Sequence, residues 1–192
     1  MTDEKPWKTI SSRIAYKNPW ISVREDQVIR PDGSDGIYGV VQLPESVGIL
    51  AVDSEDRVAL VRQWRYVHGR VGIEIPTGGL NNDESHLDAA KRELLEETGL
   101  LAQSWTPVGL IENSNGATTD VAHMFLAEGL TEGTQPAIAD EAIELIWVPF
   151  DKAVQMALDG EIRESTSVAL LIKAALIRSG HVGSGASGDQ DS

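Results

Sequence analysis

Three carboxylates crowd one short stretch of this chain: Glu93, Glu96 and Glu97. Spacings of three and four residues put all three on one face of a helix, where like charges destabilise by roughly 0.2–0.5 kcal/mol per pair. A chain that gathers acids against their own repulsion is explained if a cation sits among them. Hard divalent ions with oxygen ligands, Mg²⁺ above all, suit carboxylate clusters that also hold a phosphate. The helix that must carry these side chains follows a short strand, Ile73-Glu74-Ile75-Pro76, and a Gly-rich turn at Gly78-Gly79. Its expected length is about fourteen residues. Asn82 or Asp83 is the expected N-cap, with Glu84 in the first turn and Gly99 as the left-handed stop. Leu87, Ala90 and Leu94 form a neighbouring apolar face and Leu95 points elsewhere, so the helix is packed on more than one side. Lys91 and Arg92 are read as lying off the acidic face.

Gly78, then Glu84, then Arg92-Glu93-Leu94-Leu95-Glu96-Glu97-Thr98-Gly99-Leu100 resembles a complete Nudix box, with every fixed position filled at the right spacing. The lead-in Glu74-Ile75-Pro76-Thr77-Gly78 is similar to that of Nudix enzymes cleaving ADP-ribose and related nucleotide sugars. The resemblance implies an α/β fold, an α/β/α sandwich with a mixed β-sheet, over roughly residues 45–178. It implies Mg²⁺-dependent hydrolysis of a nucleoside diphosphate linked to another group, with Mn²⁺ able to substitute. Glu93 and Glu97 would be the main metal ligands and catalytic carboxylates. Glu96 would be a third ligand or act through water, and the Thr77 carbonyl a backbone ligand. Gly78 would be structural, and Glu84 would orient Arg92. In ADP-ribose-cleaving relatives a general base comes from a loop near the end of the domain. Glu141 is favoured here, with Asp140 and Glu144 as close rivals. Arg65, beside Glu74, would bind a phosphate or the terminal ribose, since a guanidinium fork matches phosphate geometry. Trp20 and Tyr38 stand where some relatives stack the purine; Trp20 as a core residue is the competing reading. In dimeric relatives the N-terminal strands exchange between subunits, so the resemblance implies a homodimer.

One departure bears on substrate. Many ADP-ribose-specific relatives carry a proline about sixteen residues past the box, and Asn113-Ser114-Asn115-Gly116 stands there instead. A GDP- or UDP-hexose therefore competes with ADP-ribose. Action on nucleoside triphosphates or dinucleoside polyphosphates is a second reading, and a non-catalytic nucleotide sensor a third. The full acidic set counts against the sensor.

Composition narrows the classes. The 192 residues are 41% hydrophobic, enough for one well-developed globular core. A net charge of −14 opposes nonspecific binding to nucleic acid or anionic membranes. It also means that a phosphate substrate must be met by local positive charge. With no cysteine there are no disulfides and no thiolate metal site. The four histidines, His68, His86, His123 and His181, lack zinc-site spacing, although His86 could line the site. Met1-Thr2-Asp3-Glu4-Lys5 lacks the apolar run of a signal peptide, and no stretch is apolar enough to span a bilayer. A cytoplasmic location is expected.

Around the box, three regions are expected: 1–44 as an N-terminal strand subdomain, 45–178 as the catalytic domain and 179–192 as a disordered tail. Residues 1–13 are polar and expected to be loose. Strand character runs from Ile14 to Arg30, interrupted near Asn18-Pro19, and pairs through the turn Pro31–Gly36 with Ile37–Leu43. Val47–Val52 is expected to pair back with Arg57–Trp64 across Asp53–Asp56. Val71–Ile75 leads into the box. Leu101–Glu112 reads as extended but broken near Pro107. Val121–Ala127 and Ile143–Val148 are strands, with a polar loop at 128–140. A helix opens at Pro149 and stops at Gly160. Another spans about Ser165 to Arg178, with Val168, Leu171, Ile172, Ala175 and Leu176 as its core face.

Overall fold

A computed structural model describes residues 6–133 and 143–180. The chain divides into two compact units, one from the described part of Met1–Ser46 with Glu112–Ala122, the other from Val47–Ile111 with the described part of His123–Ser192.

The first unit is a three-stranded antiparallel sheet, β1 (Lys8–Lys17), β2 (Ser22–Ile29) and β3 (Asp35–Gln42), in that order. Asn18 makes the first turn, its side-chain oxygen accepting from the backbone N–H groups of Trp20 and Ile21, both at 2.8 Å. Gly33, at φ 84°, makes the second. Strand β1 begins at Lys8, earlier than expected. Its polar Lys8–Arg13 stretch hid the strand, because neither face of β1 is covered and no alternation was needed. A segment of the same unit lies beside β3, with the Val41 N–H donating to the Ala117 carbonyl at 2.8 Å.

The second unit holds two sheets. One has the order β10-β5-β6, from β5 (Arg57–Arg65), β6 (Arg70–Glu74) and β10 (Glu144–Pro149), all antiparallel. The other has the order β7-β4-β9-β8, from β4 (Ser46–Ala51), β7 (Thr77–Gly79), β8 (Leu100–Glu112) and β9 (Val121–Glu132). Alternation along β4 and β5 separates two cores. Val47, Ile49, Ala51 and Ala59 pack with Ala89, Ala90 and Leu94 of α1 (His86–Thr98). Leu50, Val52, Val58 and Leu60 pack with Phe150 and Met156 of α2 (Phe150–Leu158) and with Leu170 and Leu171 of α3 (Ser165–Arg178). Strands apolar on both faces thus lie between helical layers, the expected α/β/α sandwich.

Several local expectations are corrected. β4 and β5 are not a paired hairpin; they join different sheets and share one isolated bridge, Val52 to Val58. A continuous apolar run says that a strand is buried but not which strand lies beside it. β8 passes through Pro107 unbroken. It is an edge strand, where a residue lacking an N–H is tolerated. β9 continues to Glu132, past the loop expected from residue 128. The buried face of α3 is Thr166, Ser167, Leu170, Leu171 and Ala174, whereas Leu176 is exposed. Among the described residues no helix is long and apolar enough to cross a membrane.

Candidate active site

The helix that carries the carboxylates starts later than its polar prelude suggests. Ser85, not Asn82 or Asp83, is the N-cap; its Oγ accepts from the Asp88 N–H at 3.1 Å and donates to Asp88 Oδ2 at 2.7 Å. That reciprocal pairing, three residues apart, satisfies a free amide of the first turn. Glu84 therefore precedes the helix. Gly99 ends it at φ 73°, its N–H reaching the Leu95 carbonyl at 2.9 Å.

Arg92 does not lie off the acidic face. Its guanidinium grips Glu84 through two bonds of 2.9 and 2.8 Å, reaches Glu93 at 2.6 Å and Glu96 at 3.0 Å, and donates to the Gly79 carbonyl at 2.9 Å. A helical wheel places Cβ atoms; a long arginine bends around the helix and puts its charge where the anions are. Glu84 also accepts from the Asn81 N–H at 3.0 Å. The Arg92 hydrogen bonds, helped by Asn81, hold the Glu84 carboxyl down at about 2. Glu84 in turn raises the Arg92 pKa, with Glu93 and Glu96 adding to it against burial. Burial pushes the Glu93 carboxyl up, and Arg92 only partly reverses this.

Glu97 is buried, and one of its oxygens accepts from the Thr77 N–H at 3.0 Å. The strand–turn β6–β7 is thereby tied to the acidic helix at the residue whose carbonyl was expected to serve as a ligand. Gly78 lies against Glu93 so closely that a Cβ there would sit 1.9 Å from the Glu93 carboxyl carbon. Only glycine lets that carboxylate pass. Three carboxylates, Glu84, Glu93 and Glu96, share the Arg92 guanidinium, and Glu97 on the same helix accepts from the Thr77 N–H, leaving a surplus of anionic oxygen. An all-oxygen, anionic cradle emptied of side-chain bulk at Gly78 fits a hard divalent cation such as Mg²⁺.

Arg65 and Glu74, on the adjacent strands β5 and β6, form a forked pair with Nε bonds of 3.1 and 3.0 Å and a third, short contact through Nη2. Burial lowers the Arg65 pKa, but the Glu74 bond and the charges of Glu74, Glu97 and Glu164 more than restore it, so it is raised. Arg65 thus lies within the electrostatic reach of the box. Gly72 keeps room for the pair: a Cβ there would meet Glu74 Oε1 at 2.4 Å. The neighbouring Gln63 is buried with its Nε2 unpartnered among the described residues.

The other candidates are placed as follows. Glu144, at the start of β10, accepts from Arg62 at 2.8 Å and is exposed. Asp140 and Glu141 lie outside the described residues. In the first unit Tyr38 donates its hydroxyl to the Gly116 carbonyl at 2.8 Å and meets Trp7 edge-on, with ring centroids 5.4 Å apart. Trp20 is 75% exposed, so it is not a core residue. Tyr38's ring partner in the chain is Trp7, a residue the sequence did not single out. His86 stacks on His123 with centroids 3.5 Å apart.

Residues 42–171 match the model of the NUDIX domain, and residues 7–41 match that of a nucleoside diphosphate sugar hydrolase N-terminal domain. The chain belongs to the Nudix family. An ADP-ribose pyrophosphatase of Mycobacterium tuberculosis is 32% identical over 181 residues, spanning 92% of this Nudix chain and 87% of the relative. A GDP-mannose pyrophosphatase of Klebsiella pneumoniae is 38% identical over 59% of the chain and 62% of its own length. A crystal structure described as an ADP compounds hydrolase superposes with a TM-score of 0.82, covering 95% of this chain and 100% of that one at 18% identity. That likeness confirms the expected Nudix fold.

Proposed function

We propose that this Nudix enzyme hydrolyses the pyrophosphate bond of ADP-ribose or a related nucleoside diphosphate sugar, releasing a nucleoside monophosphate and a sugar phosphate. The observation that carries the reading is the acidic cradle against Gly78, tied through Thr77 to the strand pair that bears Arg65 and Glu74. The match of residues 7–41 to an N-terminal domain of nucleoside diphosphate sugar hydrolases, and the similarity to ADP-ribose and GDP-mannose pyrophosphatases, support this substrate class over free triphosphates.

Glu93 and Glu97 are the main metal ligands in this reading, with Glu96 and the Thr77 carbonyl completing the set. A bound Mg²⁺ would neutralise the diphosphate and lower the pKa of a coordinated water. Arg92 bonds Glu84, Glu93 and Glu96, and in this reading it orients Glu93 and Glu96 for the metal. Arg65, oriented by Glu74, offers its other guanidinium edge to a substrate phosphate or ribose in this reading. Glu141 is the proposed general base, with Asp140 and Glu144 as the alternatives. Trp20 and Tyr38 are proposed to hold the purine, with a second copy of the chain contributing to the stack. The uncovered apolar side chains of β1 support a homodimer. A cytoplasmic location is proposed.

The test is a substrate panel with purified protein and Mg²⁺, scored for nucleoside monophosphate release. ADP-ribose and GDP-mannose should be cleaved, and nucleoside triphosphates and dinucleoside polyphosphates should not. Turnover that persists in excess chelator would overturn the metal role; exclusive action on triphosphates would overturn the substrate class.

A further inference from the structure

Three consecutive residues ahead of the box are fastened to three different elements. The Ile75 N–H donates to Ser167 Oγ of α3 at 3.0 Å. The Pro76 carbonyl accepts from the Ile49 N–H of β4 at 2.9 Å. The Thr77 N–H donates to Glu97 of α1 at 3.0 Å. The last of these touches the acidic cradle directly, and the first reaches it from a helix that the motif does not include.

Ser167 is fully buried, and its hydroxyl is oriented rather than free. It donates to Glu164 Oε2 at 2.7 Å, which leaves its lone pairs for Ile75. Glu164 is the N-cap of α3, accepting from the N–H groups of Thr166 at 2.8 Å and Ser167 at 2.6 Å. Glutamate is not among the residues that usually cap a helix; Ser, Thr, Asp and Asn do that with less chain. Here the longer side chain serves the Ser167 hydroxyl as well as the two amides. The same turn packs closely on β4, where a Cβ on Gly48 would meet Thr166 Cγ2 at 2.6 Å.

We propose that Ser167, oriented by Glu164, is a positioning residue for the metal-binding face of α1, acting through Ile75–Thr77 on Glu97. This rests on the reading of Glu93, Glu96 and Glu97 as metal ligands. Groups bonded directly to a metal ligand typically change metal affinity or activity by about 10–100-fold when removed, and Ser167, one link further back, is expected at the low end of that range. Ser167→Ala leaves the Ile75 amide buried with no acceptor and frees the segment that anchors Glu97.

The experiment titrates Mn²⁺ into the full chain and reads free Mn²⁺ by electron paramagnetic resonance, with no substrate present. Ser167→Ala should weaken Mn²⁺ about tenfold. At saturating metal it should lower kcat by a similar factor while KM stays within about twofold, a split that general loosening would not give. Glu164→Gln can keep an acceptor oxygen on the Ser167 hydroxyl but turns an NH2 toward the Thr166 N–H, so it should weaken Mn²⁺ less than Ser167→Ala does. Ala174→Gly, which weakens the buried face of α3 away from this link, controls for lost stability and should leave Mn²⁺ affinity unchanged. Should Ser167→Ala not fold, Glu164→Ala removes the orienting acceptor and should also weaken Mn²⁺. A folded Ser167→Ala or Glu164→Ala protein with wild-type affinity, or an equal shift in Ala174→Gly, overturns the proposal. Wild type that binds Mn²⁺ but cleaves no nucleoside diphosphate sugar would overturn the substrate reading alone. Wild type that binds no Mn²⁺ would overturn both.

Discussion

β1 and β4 both carry bulky apolar residues, yet all ten residues of β1 are exposed while five of the six in β4 are buried. In β4 the apolar residues occupy successive positions, because helical layers cover both of its faces. In β1 they are spaced out, at Ile10, Ile14 and Tyr16, and the chain's described residues leave them in water. The contrast separates what one chain completes by itself from what it leaves open. The second unit closes its cores and its acidic cradle with its own side chains. The first unit presents a sheet whose apolar positions make sense against another surface, which supports the dimer reading.

The sharpest way to test this division is to strike the cradle. Glu97→Gln removes an anionic oxygen while keeping a side chain that can still accept from Thr77. Turnover should fall by about 10³-fold, equivalent to ~4 kcal/mol of transition-state stabilisation. Circular dichroism should show the fold intact. Residual activity within tenfold of wild type would remove Glu97 from the proposed ligand set.

The next effect separates the two strands energetically. Leu50→Ala empties a fully buried position of β4 and should cost about 2–5 kcal/mol in urea unfolding. Ile14→Asp should leave the unfolding of the second unit within about 0.5 kcal/mol of wild type, because Ile14 is surface in the single chain. In sedimentation velocity the same variant should convert the proposed dimer to monomer. A dimer that tolerates the charge would move the interface away from β1. For Trp20→Ala, KM should rise about tenfold with kcat little changed, in line with ~1–3 kcal/mol per stacked base. Unchanged KM would end the stacking proposal.

How far the sequence foretold this division depends on the kind of information involved. The box was legible because helical spacing alone brings Glu93, Glu96 and Glu97 together, and because Gly78 and Gly99 mark its ends. The central place of Arg92 was not legible, since residue spacing positions Cβ atoms and ignores the reach of a long side chain. Ser85 could have been found from the Ser-x-x-Asp pattern that it makes with Asp88, which outcompetes the more obvious Asn-Asn-Asp. The partners of β4 and β5 were beyond reach, because an apolar strand buried on both faces looks the same beside any neighbour. Ser167 and Glu164 left no local signal at all. Their proposed role depends on α3 returning to the box, since 92 residues separate Ile75 from Ser167.

The smallest effect is expected in acid. Glu84 has its folded-state pKa lowered from 4.5 to about 2 by Arg92, so the pair's contribution to stability is complete above 4.5, declines as pH falls from 4.5 to 2, and is absent below. Glu93 works in the opposite sense: its raised pKa makes the folded state the better proton acceptor, which favours folding as pH falls. Asp26 in the first unit is held low by its Arg24 hydrogen bond and falls on the same side as Glu84. Glu84→Gln removes one acid-sensitive pair and leaves Glu93 in place, so urea midpoints between pH 4.5 and 2 should fall less steeply in the variant than in wild type. Parallel acid limbs in the two proteins would mean that Arg92 does not keep the proton off Glu84. The arginine would then be spread over Glu93 and Glu96 instead, and the cradle would be less anionic than its four carboxylates suggest.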